Sequence, residues 1–387
     1  MRVALDVAAL GSGIGGDETW MTGLLEGLAL ESGGHEFALL SPDGVVLPEA
    51  VRGRKEFPMV SIRRRRGIRH FAIDLPRVLA RRSDDLVVTV THAALRPSLP
   101  SALVIGDLSF RHHPELYPRL VRVRLETLVA RQARQARVVL VPSEYSRADV
   151  VSAYGIDPAR VAVVPNRVVR PEPLTAEERE RAESWAHDVG LRRPFITYLG
   201  NVHPRKNVGR LVEACRLVRA RPGLGDVQLV IAGARWWSGE QGEQGGPRGR
   251  RSGETGEPEP GVVSVGRVDD VTRRWLLSEA AVLAYPSIFE GFGLPPIEAM
   301  SYGTPVVAGN RSAIPEVVGD AAILVDPFDV GAIAEGLVAA LTDGVVRARL
   351  GEAGPRRARE YSVARVGAAA IEAFENAISS EPPRRRS

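Results

Sequence analysis

A chain of 387 residues is too long for one hydrophobic core and long enough for two domains. Its 44% hydrophobic and 25% charged content is ordinary for a globular protein, and a net charge of +4 gives no general pull towards nucleic acid. The single cysteine, Cys215, excludes an intramolecular disulfide and a cysteine-rich metal site.

No apolar run approaches the ~18–20 residues that span a bilayer. Residues 1–7 read as a first strand, too short and too acidic for a signal sequence, so a cytoplasmic location is expected. The charge is unevenly spread. Residues 52–82 are basic, with Arg63, Arg64, Arg65 and Arg66 at their centre, and Arg384, Arg385 and Arg386 form a second patch. These read either as solvated arginines or as a peripheral contact with an anionic membrane or an acidic acceptor. They lack the interleaved aromatics of a nucleic-acid site. Nearly all basic residues are arginine, and the only lysines are Lys55 and Lys206.

Near-continuous apolar runs at 3–7, 37–40, 86–90, 103–105, 138–141 and 161–164 suit strands buried on both faces of a parallel sheet. Between them a helix is expected over 118–135, with Leu120, Val121, Leu125, Leu128 and Val129 as its apolar residues. Ser143 fits the N-cap of another helix running to Tyr154, with Gly155 just past its end. Pro171, Glu172 and Pro173, followed by the charged residues 177–183, read as an interdomain linker leading into a helix.

A second alternating series follows, with strands at 195–199, 227–231, 262–265, 282–285, 305–308 and 323–325 and helices at 208–219 and 271–280. Residues 239–260 are rich in Gly, Glu, Pro and Arg and read as a mobile loop, and a last helix is expected over 363–378. The pattern predicts an α/β chain of two doubly wound parallel-sheet domains facing a central cleft. The expected divisions are 1–170, a linker at 171–192, 193–362, and a C-terminal segment 363–387 whose helix packs back towards the first domain.

Four stretches carry chemistry. Residues 289–300 follow a strand and open a helix whose first turn suits Pro295 and Pro296. Gly291 and Gly293 allow a close backbone approach, and the amides through Phe292 and Leu294 then make an anion site suited to a diphosphate. Glu290 in that loop can accept hydrogen bonds from sugar hydroxyls, and Glu298 on the helix can accept both hydroxyls of a ribose. Arg205 and Lys206 follow a second strand and its Gly200, where they can neutralise a diphosphate.

The other two stretches are weaker. Residues 11–16 form a glycine-rich first turn, but no acidic residue closes a second strand as a dinucleotide fingerprint requires. Residues 104–115 hold Asp107 beside Gly106, with His92, His112 and His113 as scattered imidazoles. No metal-ligand cluster is evident.

Residues 289–300 resemble the Glu-x7-Glu motif of the retaining family 4 glycosyltransferases, and the resemblance continues through 301–307, 315–317 and 321–327. Arg205, Lys206 and Asn207 are similar to that family's Arg-Lys-Asn segment, which contacts donor phosphates. Residues 141–146 and 163–166 match first-domain landmarks, although Arg167 stands where glycine is usual. The resemblance implies the GT-B fold, metal-independent hexosyl transfer with retention and no cofactor. The donor would be GDP-mannose or a dTDP- or UDP-sugar. The acceptor would be a hydroxyl in a glycan, glycolipid or natural product.

By the same resemblance Gly13, Gly15 and Gly16 lie near the donor diphosphate, and Arg267 and Val268 lie near its base. Relatives often carry histidine where this chain has Gly106. Asp107 is left to position the acceptor hydroxyl, and the leaving phosphate to take its proton. A same-fold epimerase or phosphorylase, or a sugar-nucleotide-binding protein without transferase activity, are the alternative readings.

Overall fold

The computed structural model describes residues 1–11, 15–42, 44–62, 69–92, 94, 98–169, 171–234 and 259–380. Gly13, Arg63 to Arg66, nearly all of the glycine-rich stretch 239–260 and the arginine tail lie outside the described residues.

The β-branched runs of the first half form seven parallel strands. They are β1 (Arg2–Asp6), β2 (Glu36–Ser41), β3 (Met59–Ser61), β4 (Leu86–Val90), β5 (Ser101–Val104), β6 (Val138–Val141) and β7 (Val161–Val163), in spatial order β3-β2-β1-β4-β5-β6-β7. Helices α1 (Gly15–Leu30), α2 (Leu75–Leu79), α3 (Ser109–His112), α4 (Arg119–Gln135) and α5 (Glu144–Tyr154) connect them. Both faces of the sheet are covered, which explains why the strands read as unbroken apolar runs. Val3 and Leu5 of β1 pack with Met21, Leu24, Leu25 and Leu28 of α1, whereas Ala4 packs with Leu75 and Leu79 of α2. Ser143 caps α5 by accepting the Ser146 N–H at 3.1 Å, and Gly155 ends it in the left-handed region at φ +61°.

The helix expected over 118–135 forms as α4. Of the five apolar positions only Val129 is buried, beside Gln132 and Ala133, while Leu120 and Val121 are exposed. β3 was not visible as a run, because it is a three-residue edge strand with Met59 exposed.

The second half forms a six-stranded parallel sheet in the order β10-β9-β8-β11-β12-β13. In chain order its elements are α6 (Ala176–Asp188), β8 (Phe195–Leu199), α7 (Val208–Arg219), β9 (Gln228–Ala232), β10 (Val262–Gly266), α8 (Asp270–Glu279) and β11 (Val282–Tyr285). Then come α9 (Leu294–Ser301), β12 (Val306–Gly309), α10 (Ile314–Val318), β13 (Ile323–Val325), α11 (Val330–Thr342) and α12 (Gly344–Ala358). In both sheets the first strand lies between neighbours whose chain order runs outward in opposite directions, which is the switch point of a doubly wound sheet.

The chain divides into two units, one of 1–114, 119–167 and 361 onward, the other of 115–118 and 168–360. The segment expected as a linker leading into a helix, 171–192, falls in the second unit. It holds α6, whose capping box joins Thr175 and Glu178 and whose Trp185 meets Trp275 of α8 edge-on. The last helix, α13 (Val363–Ser379), belongs to the first unit and packs on α1. Gly27 and Gly367 make that contact possible: a Cβ at Gly27 would stand 2.6 Å from the Gly367 nitrogen.

Candidate active site

In the second unit, two βα loops at the carboxyl ends of β8 and β11 meet. The Ile288 N–H donates to the Arg205 carbonyl at 2.8 Å, and the Ser287 hydroxyl oxygen lies 3.1 Å from the same carbonyl. Asn207 adopts φ +61° and donates through Nδ2 to the Pro286 and Pro327 carbonyls, which fixes the turn Pro204–Lys206 against both neighbouring loops.

Arg205 and Lys206 converge on Glu290. Arg205 Nη1 lies 2.8 Å from Glu290 Oε2 and also donates to the Phe289 carbonyl at 2.8 Å. Lys206 Nζ donates to Glu290 Oε1 and to the Tyr285 hydroxyl, both at 2.5 Å. The Ser287 hydroxyl (2.5 Å) and the Tyr285 hydroxyl (3.1 Å) also donate to Oε1. The Glu290 amide donates to the Ser312 hydroxyl at 2.8 Å.

Glu290 is only 5% exposed. Burial pushes its carboxyl up, but the charges of Arg205 and Lys206 and the hydrogen bonds from Lys206 and Ser287 prevail and hold it at about 2. Burial drives the Tyr285 phenol well above its ordinary value, with the Glu290 charge adding to the effect, so it stays neutral. The ring of Tyr198 stacks beneath that of Tyr285 at 6.0 Å.

Glu290, expected to accept from sugar hydroxyls, accepts from protein donors at both oxygens in this structure. It pairs with two cations. Because two cations face one carboxylate, the cluster carries an excess of positive charge.

Gly291, Phe292 and Gly293 continue from Glu290 into α9. Gly293 sits at φ +97°, a backbone conformation that L side chains rarely adopt, which favours glycine there. α9 starts at Leu294 with two prolines in its first turn and no side-chain cap. Glu298, four residues on, is paired with Arg273 of α8 at 3.1 Å, and Arg273 also donates to Asp270 at 2.8 Å. Gly200, at the end of β8, donates its N–H to the Ala232 carbonyl, while Arg267 is exposed and Val268 half-buried just past β10.

In the first unit, Gly15 opens α1 and Gly16 is exposed. Asp107 is half-buried and accepts the Ser109 N–H at 2.9 Å. At Gly106 a Cβ would meet nothing within 4 Å, so the missing side chain leaves open space. Asp17, in the first turn of α1, was not singled out from the sequence. Burial, and then the Asp107 charge, raise its carboxyl to about 6 against a hydrogen bond with Thr91. Thr91 sits in the left-handed region at φ +61°. Next to it, His92 is held below its ordinary value by burial and by Arg124. His112 is committed to Asp149 at 2.8 Å.

Among the described residues, no group of three or more His, Cys, Asp or Glu side chains could hold a metal ion, and no helix is long and apolar enough to cross a membrane.

Comparison with known proteins accounts for both halves of the chain. Residues 14–169 match the model of Glycosyltransferase Family 4, and residues 180–357 match that of Glycosyl transferases group 1. The MMP alpha-(1->4)-mannosyltransferase of Mycolicibacterium hassiacum is 30% identical over 333 residues, which cover 80% of this chain and 75% of that protein. The chain belongs to the group 1, family 4 glycosyltransferases.

The relatives are named as mannosyltransferases and other glycosyltransferases. The O-antigen chain mannosyltransferase B of Escherichia coli is 30% identical over 257 residues, 66% of this chain and 65% of that protein. Among solved structures, the sucrose-phosphate synthase of Thermosynechococcus elongatus matches with a TM-score of 0.70 at 17% identity, covering 97% of this chain and 98% of that one. HepE of Anabaena, solved with UDP and glucose, matches with a TM-score of 0.67 at 15% identity, covering 97% of this chain and 99% of that one. These likenesses establish the GT-B fold.

Proposed function

We propose that the protein moves a hexosyl group, with mannose as the leading candidate, from a nucleoside diphosphate sugar to an acceptor hydroxyl with retention at the anomeric carbon. The observation that carries this reading is the excess positive charge of Arg205 and Lys206, locked on buried Glu290 beside the uncapped start of α9. Mannosyltransferases among the relatives, and HepE solved with UDP-glucose, support the donor class.

In the reaction, the bond from the anomeric carbon to the phosphate oxygen breaks and the diphosphate keeps the electron pair. The acceptor oxygen forms the new bond on the same face and passes its proton to the leaving phosphate. Arg205, Lys206 and the amides of Gly291 to Leu294 stabilise the charge that grows on the diphosphate. Glu290 holds the two cations in place, and Glu298, oriented by Arg273, takes the ribose hydroxyls. Asp107 of the first unit positions the acceptor. No step is assigned to a metal ion.

The test is a thermal-shift screen against UDP, GDP and dTDP, followed by transfer assays with the matching sugar donors and anomeric analysis of the product. The matched nucleotide raises the midpoint, since it binds the folded state only. An inverted product, or turnover of the donor sugar without any acceptor, contradicts the reading.

A further inference from the structure

We propose that Arg274 is a positioning residue of the nucleotide site, coupling the Glu298 carboxylate to residues 172–178 near the start of the second unit's long run. The proposal rests on the ribose role given to Glu298 above.

A continuous series of charged hydrogen bonds joins the two places. Glu298 Oε1 on α9 accepts from Arg273 Nη1 at 3.1 Å, and Arg273 Nη2 donates to Asp270 Oδ1 at 2.8 Å. The other oxygen of Asp270, Oδ2, accepts from Arg274 Nε at 3.1 Å. Arg274 Nη2 pairs with Glu178 Oε1, and Arg274 Nη1 donates to the Glu172 carbonyl at 3.4 Å. Glu178 Oε2 in turn accepts the Thr175 N–H at 3.0 Å, which completes the capping box of α6. Two adjacent arginines of α8 thus hold opposite ends of the series, and Asp270 bridges them.

Isolated ion pairs at a surface contribute little, because water and salt screen them and two long side chains must be held still. Arg274 differs from such a pair. Its side chain is only 15% exposed, and its planar fork is shared among three acceptors. The helices that it joins are fastened elsewhere as well. Arg181 of α6 donates to Asp269 at 3.0 Å, Arg179 to Glu279 at 2.8 Å, and Trp185 meets Trp275 edge-on.

The charge balance makes the series responsive to a nucleotide. Three carboxylates share two guanidiniums, so Glu298 and Asp270 compete for Arg273. Ribose hydroxyls that donate to Glu298 replace part of what Arg273 supplies to it. Arg273 then turns towards Asp270, and Arg274 towards Glu178. Occupancy of the nucleotide site tightens the cap of α6, and by reciprocity a tight cap favours the nucleotide.

The test is titration calorimetry with whichever of UDP, GDP and dTDP stabilises the fold most, alongside hydrogen exchange at residues 172–178. Glu298→Gln is expected to weaken binding about tenfold, the scale of the charged hydrogen bonds it removes. Arg274→Gln and Glu178→Gln should each weaken it about threefold to tenfold, the scale of coupling through a side-chain network. Glutamine at position 178 still serves a capping box, so that variant keeps α6 intact. In the Glu298→Gln background, Arg274→Gln should add no further loss, because its effect passes through the missing carboxylate. The nucleotide should slow exchange of the Thr175 and Glu178 amides several-fold in wild type and leave it unchanged in Arg274→Gln.

Unchanged affinity in Arg274→Gln and Glu178→Gln, with Glu298→Gln weakened, overturns the coupling and leaves the ribose role standing. Unchanged affinity in Glu298→Gln removes the ribose role and the coupling with it. Losses that multiply in the double variant, or exchange at 172–178 that ignores the nucleotide, also overturn the proposal and leave Arg274 a structural ion pair.

Discussion

Lys206 Nζ and Glu290 Oε1 stand 2.5 Å apart, with the Tyr285 hydroxyl in reach of both. The two residues come from different βα loops, 84 positions apart in sequence. The lysine is one of two in the chain, and the carboxylate is almost wholly buried.

Removing the carboxylate leaves Arg205 and Lys206 facing each other in a buried pocket. Glu290→Gln is expected to cost about 3–5 kcal/mol of stability near neutral pH, the usual penalty for breaking a buried pair. The glutamate's folded value lies near 2, below the ordinary 4.5. Its contribution is therefore present above 4.5 and lost as pH falls through about 2. Denaturant unfolding at several pH values should show a gap between wild type and variant that holds from pH 8 to 5 and narrows below.

Lys206→Ala is expected to slow transfer by ~10²-fold or more, the scale of losing one contact to charge that forms in the transition state. Tyr285→Phe removes a neutral hydroxyl from the same cluster and should cost only about 1 kcal/mol of stability. Steady-state rates with saturating donor distinguish the two.

Asp17 has the opposite sign to Glu290. Its folded value is raised to about 6, so its contribution is full below the ordinary 3.8 and is lost as pH rises through about 6. Asp17→Asn does not titrate. The variant should match wild type near pH 4 and exceed it above pH 6 by on the order of 1–3 kcal/mol. Equal pH profiles for the two proteins would show that Asp17 is not strained.

Arg273 holds Glu298 at 3.1 Å. Arg273→Met releases that carboxylate and should weaken binding of the matched nucleoside diphosphate by about tenfold, the scale of one charge-assisted hydrogen bond. Titration calorimetry measures it, and unchanged affinity would remove Glu298 from the ribose role.

The contact of α1 with α13 rests on Gly27 and Gly367. Gly27→Ala places a methyl against backbone and should destabilise the first unit by about 1–3 kcal/mol, the cost of overpacking. Thermal unfolding checks it.

The sheets were legible because parallel strands covered on both faces are unbroken apolar runs; β8, β11 and β13 match their expected bounds. α4 was half legible. Its apolar residues mark a helix, but its buried side includes Gln132 and leaves Leu120 in solvent, which periodicity alone does not reveal. In the candidate site, the residues that carry charge were visible as motifs. Their partners were not: Tyr285 ends a strand that reads as core, Ser287 and Ser312 are ordinary loop serines, and Asp17 follows a turn that reads as glycine-rich. Those contacts exist only once separate βα loops meet.

The most direct test of the central claim is the rate of sugar transfer by wild type and Lys206→Ala with the donor whose nucleotide best stabilises the fold. The account predicts a retained anomeric configuration and a wild-type rate at least ~10²-fold above the variant's. Equal rates for the two proteins would contradict it.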